Sequence, residues 1–579
     1  MTIASLTNAS LAEAYRTCGK SSSRVITIAT LLFLAWVILL PNYMYAGTVP
    51  TSYKVTQVIP PGTTSPYAAA VNKSNVVVGS DVASNGNTQG FEMKGSKFTA
   101  LNFPGASGFT RASGINDAGV IAGDFYLSSD TAYHGYTYNK GKYTQYDVAL
   151  GSLSTSVFAI NNSGNLGGSA GKNGQANQGF VDIGGTVSTF YADGSSQSTF
   201  VYGMNDSNES VGDYYDSNNY PHCFYRDASG NITLLNAPNT YLTACSGINN
   251  DGVIVGWWVD TNGQLHAFLY NGGTYTELPF YYASGVSNSG SVVGYYLGPG
   301  SSSGVIVNYL AEPKAFGSYA NIEMTGAQST AIYGINDSKA MVGVYTNSSG
   351  ATHGLLFAKK KITNIDDPDA QTGTTTAFGI NTAGDLVGAY TNGSGTVVGF
   401  SYSNGTYTDV APAGSQYTNA TGINDSGVIT GQWFDASGNG HGYTYSGSTF
   451  TSIDVPGATF TGCWGINNSG DLACQWGDQY GDIESALYNG SSFTTLNVPG
   501  AYLTAAHSIN KSGDIVFLWQ DTYGNDHGAI LNAGSYYVFD VPASYGASTD
   551  ADGINTSGEI VGHFTPTGSS NFEGWEGKL

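Results

Sequence analysis

The chain of 579 residues is 41% hydrophobic and 13% aromatic but only 10% charged, a balance that excludes intrinsic disorder because it holds ample apolar surface to bury. Its 80 glycines and 41 tyrosines weigh against long helices and favour strands, so the composition predicts an all-β protein. The formal net charge of −22 offers no basic footprint for nucleic acid and repels anionic lipid, which excludes both as partners of the folded part.

At the N-terminus, Arg16, Lys20 and Arg24 precede an unbroken apolar run from Val25 to Leu40 that ends at Pro41. This is the charged and hydrophobic pair of regions of an export signal, and the run is shorter than the roughly 20 residues that span a bilayer. Residues 1–46 are therefore expected to be a signal cleaved after Ala46, making the protein secreted; the alternative is an anchor retained over residues 25–40, the one membrane contact the chain offers.

Beyond the signal the chain repeats. Gly114-Ile115-Asn116-Asp117-Ala118-Gly119-Val120-Ile121-Ala122-Gly123 sets a frame that recurs with Asn at 72, 116, 161, 205, 249, 336, 381, 424, 467, 510 and 555, and with Ser287 in one copy. Twelve copies at a period of about 44 residues match a four-stranded propeller blade. In the ninth copy Thr421–Ile423, Val428–Asp435, Gly442–Tyr445 and Phe450–Asp454 read as four strands, the first two joined by the turn Asn424-Asp425-Ser426-Gly427. Asn and Asp side chains satisfy turn backbone groups and Gly supplies positive φ, whereas a calcium loop would require more carboxylates than most copies hold.

The third strand of the fifth copy begins His266-Ala267-Phe268-Leu269-Tyr270, after Gly-Ile-Asn and Gly-Val-Ile-Val-Gly at 247–256. This resembles the bacterial extracellular repeats named the HAF family after that triplet. The resemblance covers nearly the whole chain beyond the signal and implies an exported repeat protein; it brings no established activity and no catalytic residues to carry over.

Closed propellers hold 4 to 8 blades, so twelve copies predict two tandem six-bladed β-propellers, residues 52–310 and 318–579, joined by a linker at 311–317 where seven residues are inserted. The last copy lacks a fourth strand, and Val55–Ile59 and Tyr319–Met324 both align with fourth strands, so each ring is expected to be closed by its own first strand. One larger closed ring is the alternative.

Residues that break the repeat are the candidates for function. Arg111 in copy two and His507 in copy eleven occupy inner-strand positions near a channel mouth. Trp257 and Phe434 are candidate sugar-stacking platforms, being out of phase with the ten aromatics that recur two residues beyond the closing glycine and are expected to pack between adjacent repeats. His134, His222, His266, His353, His441 and His527 share one slot before the third strand; ring rotation points such positions in different directions, so a structural hydrogen bond is expected rather than a metal site. Asp366, Asp367 and Asp369 are the densest carboxylates should a cation bind, and no cofactor is expected. In copy ten, counting outward from the turn at 467–470 opposes Cys463 and Cys474, which predicts a cross-strand disulfide; Cys223 and Cys245 lie on neighbouring copies with no register to relate them. These features predict a non-enzymatic binding or scaffold module for polysaccharide or protein, with an extracellular hydrolase or lyase acting at one channel mouth as the alternative.

Overall fold

The computed structural model describes residues 52–579 except 63–65, 150–153, 173–174, 195–196, 279, 298–305, 315, 323, 325, 360, 522, 542–547 and 567–568. The expected export signal lies outside the described residues. Pro50–Leu579 form one compact unit. Among the described residues every regular element is a β-strand, and no helix is long and apolar enough to cross a membrane.

The ninth repeat shows the local logic. Strands Tyr417–Ile423, Ile429–Phe434, Gly440–Ser446 and Thr449–Ile453 pair antiparallel in sequence order. The turn between the first two is built by Asn424, whose Oδ1 accepts from the backbone N–H of Ser426 and Val428, while Gly427 takes φ of 74°. The amide nitrogen of Asn424 reaches out of the repeat, with Nδ2 donating to the carbonyl of Asn467 in the next. The same bond joins Asn72 to Asn116, Asn116 to Asn161, Asn161 to Asn205, Asn205 to Asn249 and Asn249 to Ser287. In the second half it joins Asn336 to Asn381, Asn381 to Asn424, Asn510 to Asn555 and Asn555 back to Asn336. The carboxylates of the turns are also occupied: Asp117, Asp206, Asp337 and Asp425 each accept from a backbone N–H of an adjacent repeat.

The closing glycine has a steric reason. A Cβ on Gly256 would lie 2.0 Å from the carbonyl oxygen of Ala244 and 2.9 Å from the Phe268 ring. Gly256 opposes Phe268 in register, as Gly79 opposes Phe91 and Gly562 opposes Trp575, and all three rings are fully buried. Where the glycine is replaced, its partner shrinks: Cys474 and Phe517 oppose Ala486 and Ala529.

Two strands are borrowed from the beginnings of the halves. Ser52–Gln57 pairs with Ile306–Pro313 as the fourth strand of the sixth repeat, and Ser318–Ile322 pairs with Glu573–Lys578 as the fourth strand of the twelfth. Ala311–Pro313, read from sequence as the start of a linker, thus belong to a strand, because the main-chain groups of residues 53–55 pair with them. The other edge of Ser52–Gln57 pairs with Ser535–Phe539 of the eleventh repeat, giving an eight-stranded sheet shared by both halves. Tyr523 reinforces the junction, its hydroxyl accepting from the Leu265 N–H at 2.8 Å and its ring meeting Tyr281 edge-on.

Candidate binding site

In every repeat the register between first and second strands slips by one residue just before the Gly-Ile-Asn position. Such a β-bulge leaves one residue without a cross-strand partner and re-aims its side chain. The bulged residues are Ala69, Ser113, Phe158, Tyr202, Ser246 and Ser284 in the first half, and Tyr333, Phe378, Thr421, Trp464, His507 and Asp552 in the second. The fold constrains this position least, and the largest departures from the repeat gather here and at the residue pair just before it.

Arg111 and Asp124 are such a preceding pair, directly opposed in register. Arg111 Nε and Nη2 each donate to Asp124 at 2.9 Å, and Ser156 Oγ donates to the same carboxylate. The guanidinium also lies over the Phe158 ring, 5.2 Å from its centroid. Burial disfavours the guanidinium charge, but Asp124 more than offsets it and raises the Arg111 pKa. These groups line a cavity of about 680 Å³ whose walls include the faces of Phe109, Tyr133, Phe200 and Tyr202 and the polar groups of Ser154, Ser169, Lys172 and Asn177. Next in the first half come Asp213, fully buried and pushed up to about 8 by loss of solvent although the Cys245 N–H donates to it at 2.8 Å, and Tyr282, stacked on Tyr295. At the opposite end of the first half, Asn288 of the sixth repeat donates across to Asp117 of the second at 2.8 Å.

The other candidates fall elsewhere. Trp257 is half-buried and stacked on Tyr282 with ring centroids 5.4 Å apart, so one of its faces is covered; Phe434 is half-buried with its ring edge-on to Tyr417. Neither is the open platform expected from strand phase. Asp366, Asp367 and Asp369 do not converge: Asp366 accepts from His353 Nδ1 at 3.0 Å, and buried Asp367 accepts from the Asp369 N–H. Among the described residues no group of three or more His, Cys, Asp or Glu is arranged to hold a metal ion.

The recurrent aromatics and histidines explain one another. Phe125, Tyr214, Trp258, Tyr345, Trp433 and Trp519 lie opposite His134, His222, His266, His353, His441 and His527 in register, with ring centroids 4.5 Å apart for Trp519 and His527. Four of these aromatics stack on the imidazole of their own repeat, while Phe125 and Trp258 lie tilted to theirs. The expected packing between repeats is also present: Tyr214, Trp258, Tyr345, Tyr390, Trp433 and Phe564 each pack in a cluster that joins two adjacent repeats. An acidic residue then holds each of several imidazoles: Asp147, Asp366, Asp454 and Asp540 accept from His134, His353, His441 and His527.

Cys463 and Cys474 are opposed in register and disulfide-bonded. The counting that opposed them needs correction: Ile466 pairs with Leu472, not Asp471, and the bulge at Trp464 restores the alignment. A second disulfide joins Cys223 to Cys245 and ties the fourth repeat to the fifth. Sequence reasoning also missed the partners of His507. Its Nδ1 lies 3.1 Å from Asp552, which accepts from His563 Nδ1 at 2.7 Å, while His563 Nε2 lies 3.0 Å from Asp550. The available signal was that Asp552 at the bulge, and Asp550 and His563 in the opposed pair before it, all break the repeat.

No protein-family model and no curated protein matches the chain. Among solved structures, it is similar to AofleA from Arthrobotrys oligospora (12% identity, 45% of this chain and 87% of that one, TM-score 0.31). It is likewise similar to a six-bladed β-propeller fungal lectin of Aleuria aurantia (12%, 51% and 93%, TM-score 0.26) and to the BP39L lectin of Burkholderia pseudomallei (11%, 58% and 95%, TM-score 0.24).

Proposed function

We propose that the chain is an exported protein of the HAF-repeat kind, built as two six-bladed β-propellers over residues 52–310 and 318–579, and that the first ring binds polysaccharide at the channel mouth around Arg111. Ring closure is supported by the asparagine bonds, which in the second half return from Asn555 to Asn336, and in the first by Ser284 Oγ donating to the Ala68 carbonyl. Completion of the sixth and twelfth repeats by each half's own first strand supports it too. The signal-like N-terminus supports export, as do two disulfides, which persist in oxidising compartments.

The cavity beside Arg111 carries the binding reading. Aromatic faces stack on the C–H faces of pyranose rings, and interleaved serine, asparagine and guanidinium groups exchange hydrogen bonds with ring hydroxyls. Asp124 neutralises Arg111, so the guanidinium serves sugar hydroxyls as a hydrogen-bond donor and not as a net charge, and Lys172, at an exposed position, is the other cation among the lining residues. Affinity electrophoresis of the exported chain through gels containing soluble neutral polysaccharides tests this reading. At least one polysaccharide should retard the wild type, and Tyr202→Ala should abolish most of that retardation. Equal retardation of wild type and variant, or none by any polysaccharide, rejects it.

A further inference from the structure

The channel of the second ring is a different kind of place. Its cavity, about 110 Å³, is lined by all six bulged residues, Tyr333, Phe378, Thr421, Trp464, His507 and Asp552, and reaches the turns at the asparagine end. That end is spanned in the first ring by the bond from Asn288 to Asp117, while in the second ring the exposed turn residues Asp337 and Lys511 border the cavity itself. Behind it stands the chain His507, Asp552, His563 and Asp550, with Asp552 and His563 each less than one-tenth exposed. Burying paired charges costs several kcal/mol of desolvation per ion, and the fold does not require it, since the position of Asp550 is Ala331 in the seventh repeat and Gly462 in the tenth. At the cavity wall the His507 ring lies 3.1 Å from the Asp552 carboxylate, and its centroid is 6.1 Å from that of the Trp464 ring in the adjacent repeat.

We propose that this channel is a second binding site, which takes one neutral polyhydroxylated ring, stacked on Trp464 and hydrogen-bonded to His507. The six inner strands enclose it laterally, so a ring enters only as the end residue of a chain or as a free sugar. The site adds a subsite for the ligand class proposed above, but it shares no residue with the Arg111 cavity.

Saturation-transfer NMR on the exported chain, with the methyl glycosides of glucose, galactose, mannose and N-acetylglucosamine as probes, tests it. At least one should bind, and His507→Gln and Trp464→Leu should each weaken it about tenfold while Tyr480→Ser, at an exposed position outside both cavities, leaves it unchanged. Trp464→Leu disturbs no ion pair, so it reads the site even where His507→Gln loosens the fold. Failure of all four probes to bind, or binding indifferent to both channel variants, overturns the proposal. A glycoside lost only in Tyr202→Ala also overturns it while supporting the first site, and loss confined to the channel variants supports this site whatever becomes of the first.

Discussion

The turn asparagine, as at Asn424, does two jobs, and its two halves can be separated chemically. Asn424→Asp keeps the oxygen that closes the turn but replaces the donor to the Asn467 carbonyl with a second acceptor, whereas Asn424→Ala removes both. Thermal or denaturant unfolding should show losses of about 1–3 kcal/mol for Asn424→Asp, the cost of a buried unsatisfied group, and a larger loss for Asn424→Ala. Equal stability of Asn424→Asp and wild type would mean that the inter-repeat bond contributes nothing. The opposed pair at the closing position allows a rescue experiment. Phe517→Gly opens a cavity beside Ala529 and should cost about 3–5 kcal/mol, and Ala529→Phe in the same chain should restore much of it by recreating the pairing of Gly256 with Phe268. This exchange was legible in the sequence only as two unrelated irregularities, because the third-strand partner is defined by register, and register depends on a bulge that no residue type announces.

Strand pairs carry the same lesson. Period and strand number were readable because Gly-Ile-Asn and its turn recur, but the slip at each bulge displaced every side chain after it by one place. The counted alignment of Cys463 with Cys474 coincides with the structural one because the wider turn and the bulge compensate. The disulfide between Cys223 and Cys245 had no signal, since it joins strands of adjacent repeats whose contact is set by packing. Each crosslink restricts the unfolded chain by about 3 kcal/mol, so reduction under native conditions should lower the melting temperature, and mapping of unreduced, alkylated peptides should find Cys223, Cys245, Cys463 and Cys474 unlabelled. The interface of the eleventh and twelfth repeats should also respond to pH. Burial opposes protonation of His563, which packs edge-on against Tyr333 and Phe572, but Asp552 and Asp550 raise it to about 10; burial likewise opposes protonation of His507, which lies beside Trp464, and the same two carboxylates raise it against the charge of His563. A histidine raised above its unfolded value of 6.5 contributes stability that is complete below pH 6.5 and is lost as pH climbs through 10. Melting temperature should therefore fall between pH 7 and 10, and His563→Gln should flatten that slope; an unchanged slope would contradict the assignment.

At the scale of the whole molecule the two halves form one body. The sequence reading of residues 311–317 as a linker implies halves that separate when it is cut. The structure instead places Ser52–Gln57 between Ile306–Pro313 and Ser535–Phe539, because an unpaired outer edge on either side satisfies its main-chain groups by joining the other. Protease cleavage within residues 314–317 should therefore leave a nicked protein that elutes as a single species in native gel filtration; two half-mass species would contradict the shared sheet. The borrowing of Ser52–Gln57 and Ser318–Ile322 as fourth strands was legible in the missing fourth strand of the last copy, while the shared sheet was not, since nothing in Ser52–Gln57 marks a second partner. The most direct measurement of the central claim is a crystal structure of the exported chain with an oligosaccharide cut from the polysaccharide that retards it. The account predicts sugar density in the cavity between Arg111 and Tyr202, with a pyranose face against an aromatic ring and a hydroxyl in reach of the guanidinium. An empty cavity, with the sugar bound on the outer rim beside the stacked histidines, would contradict it.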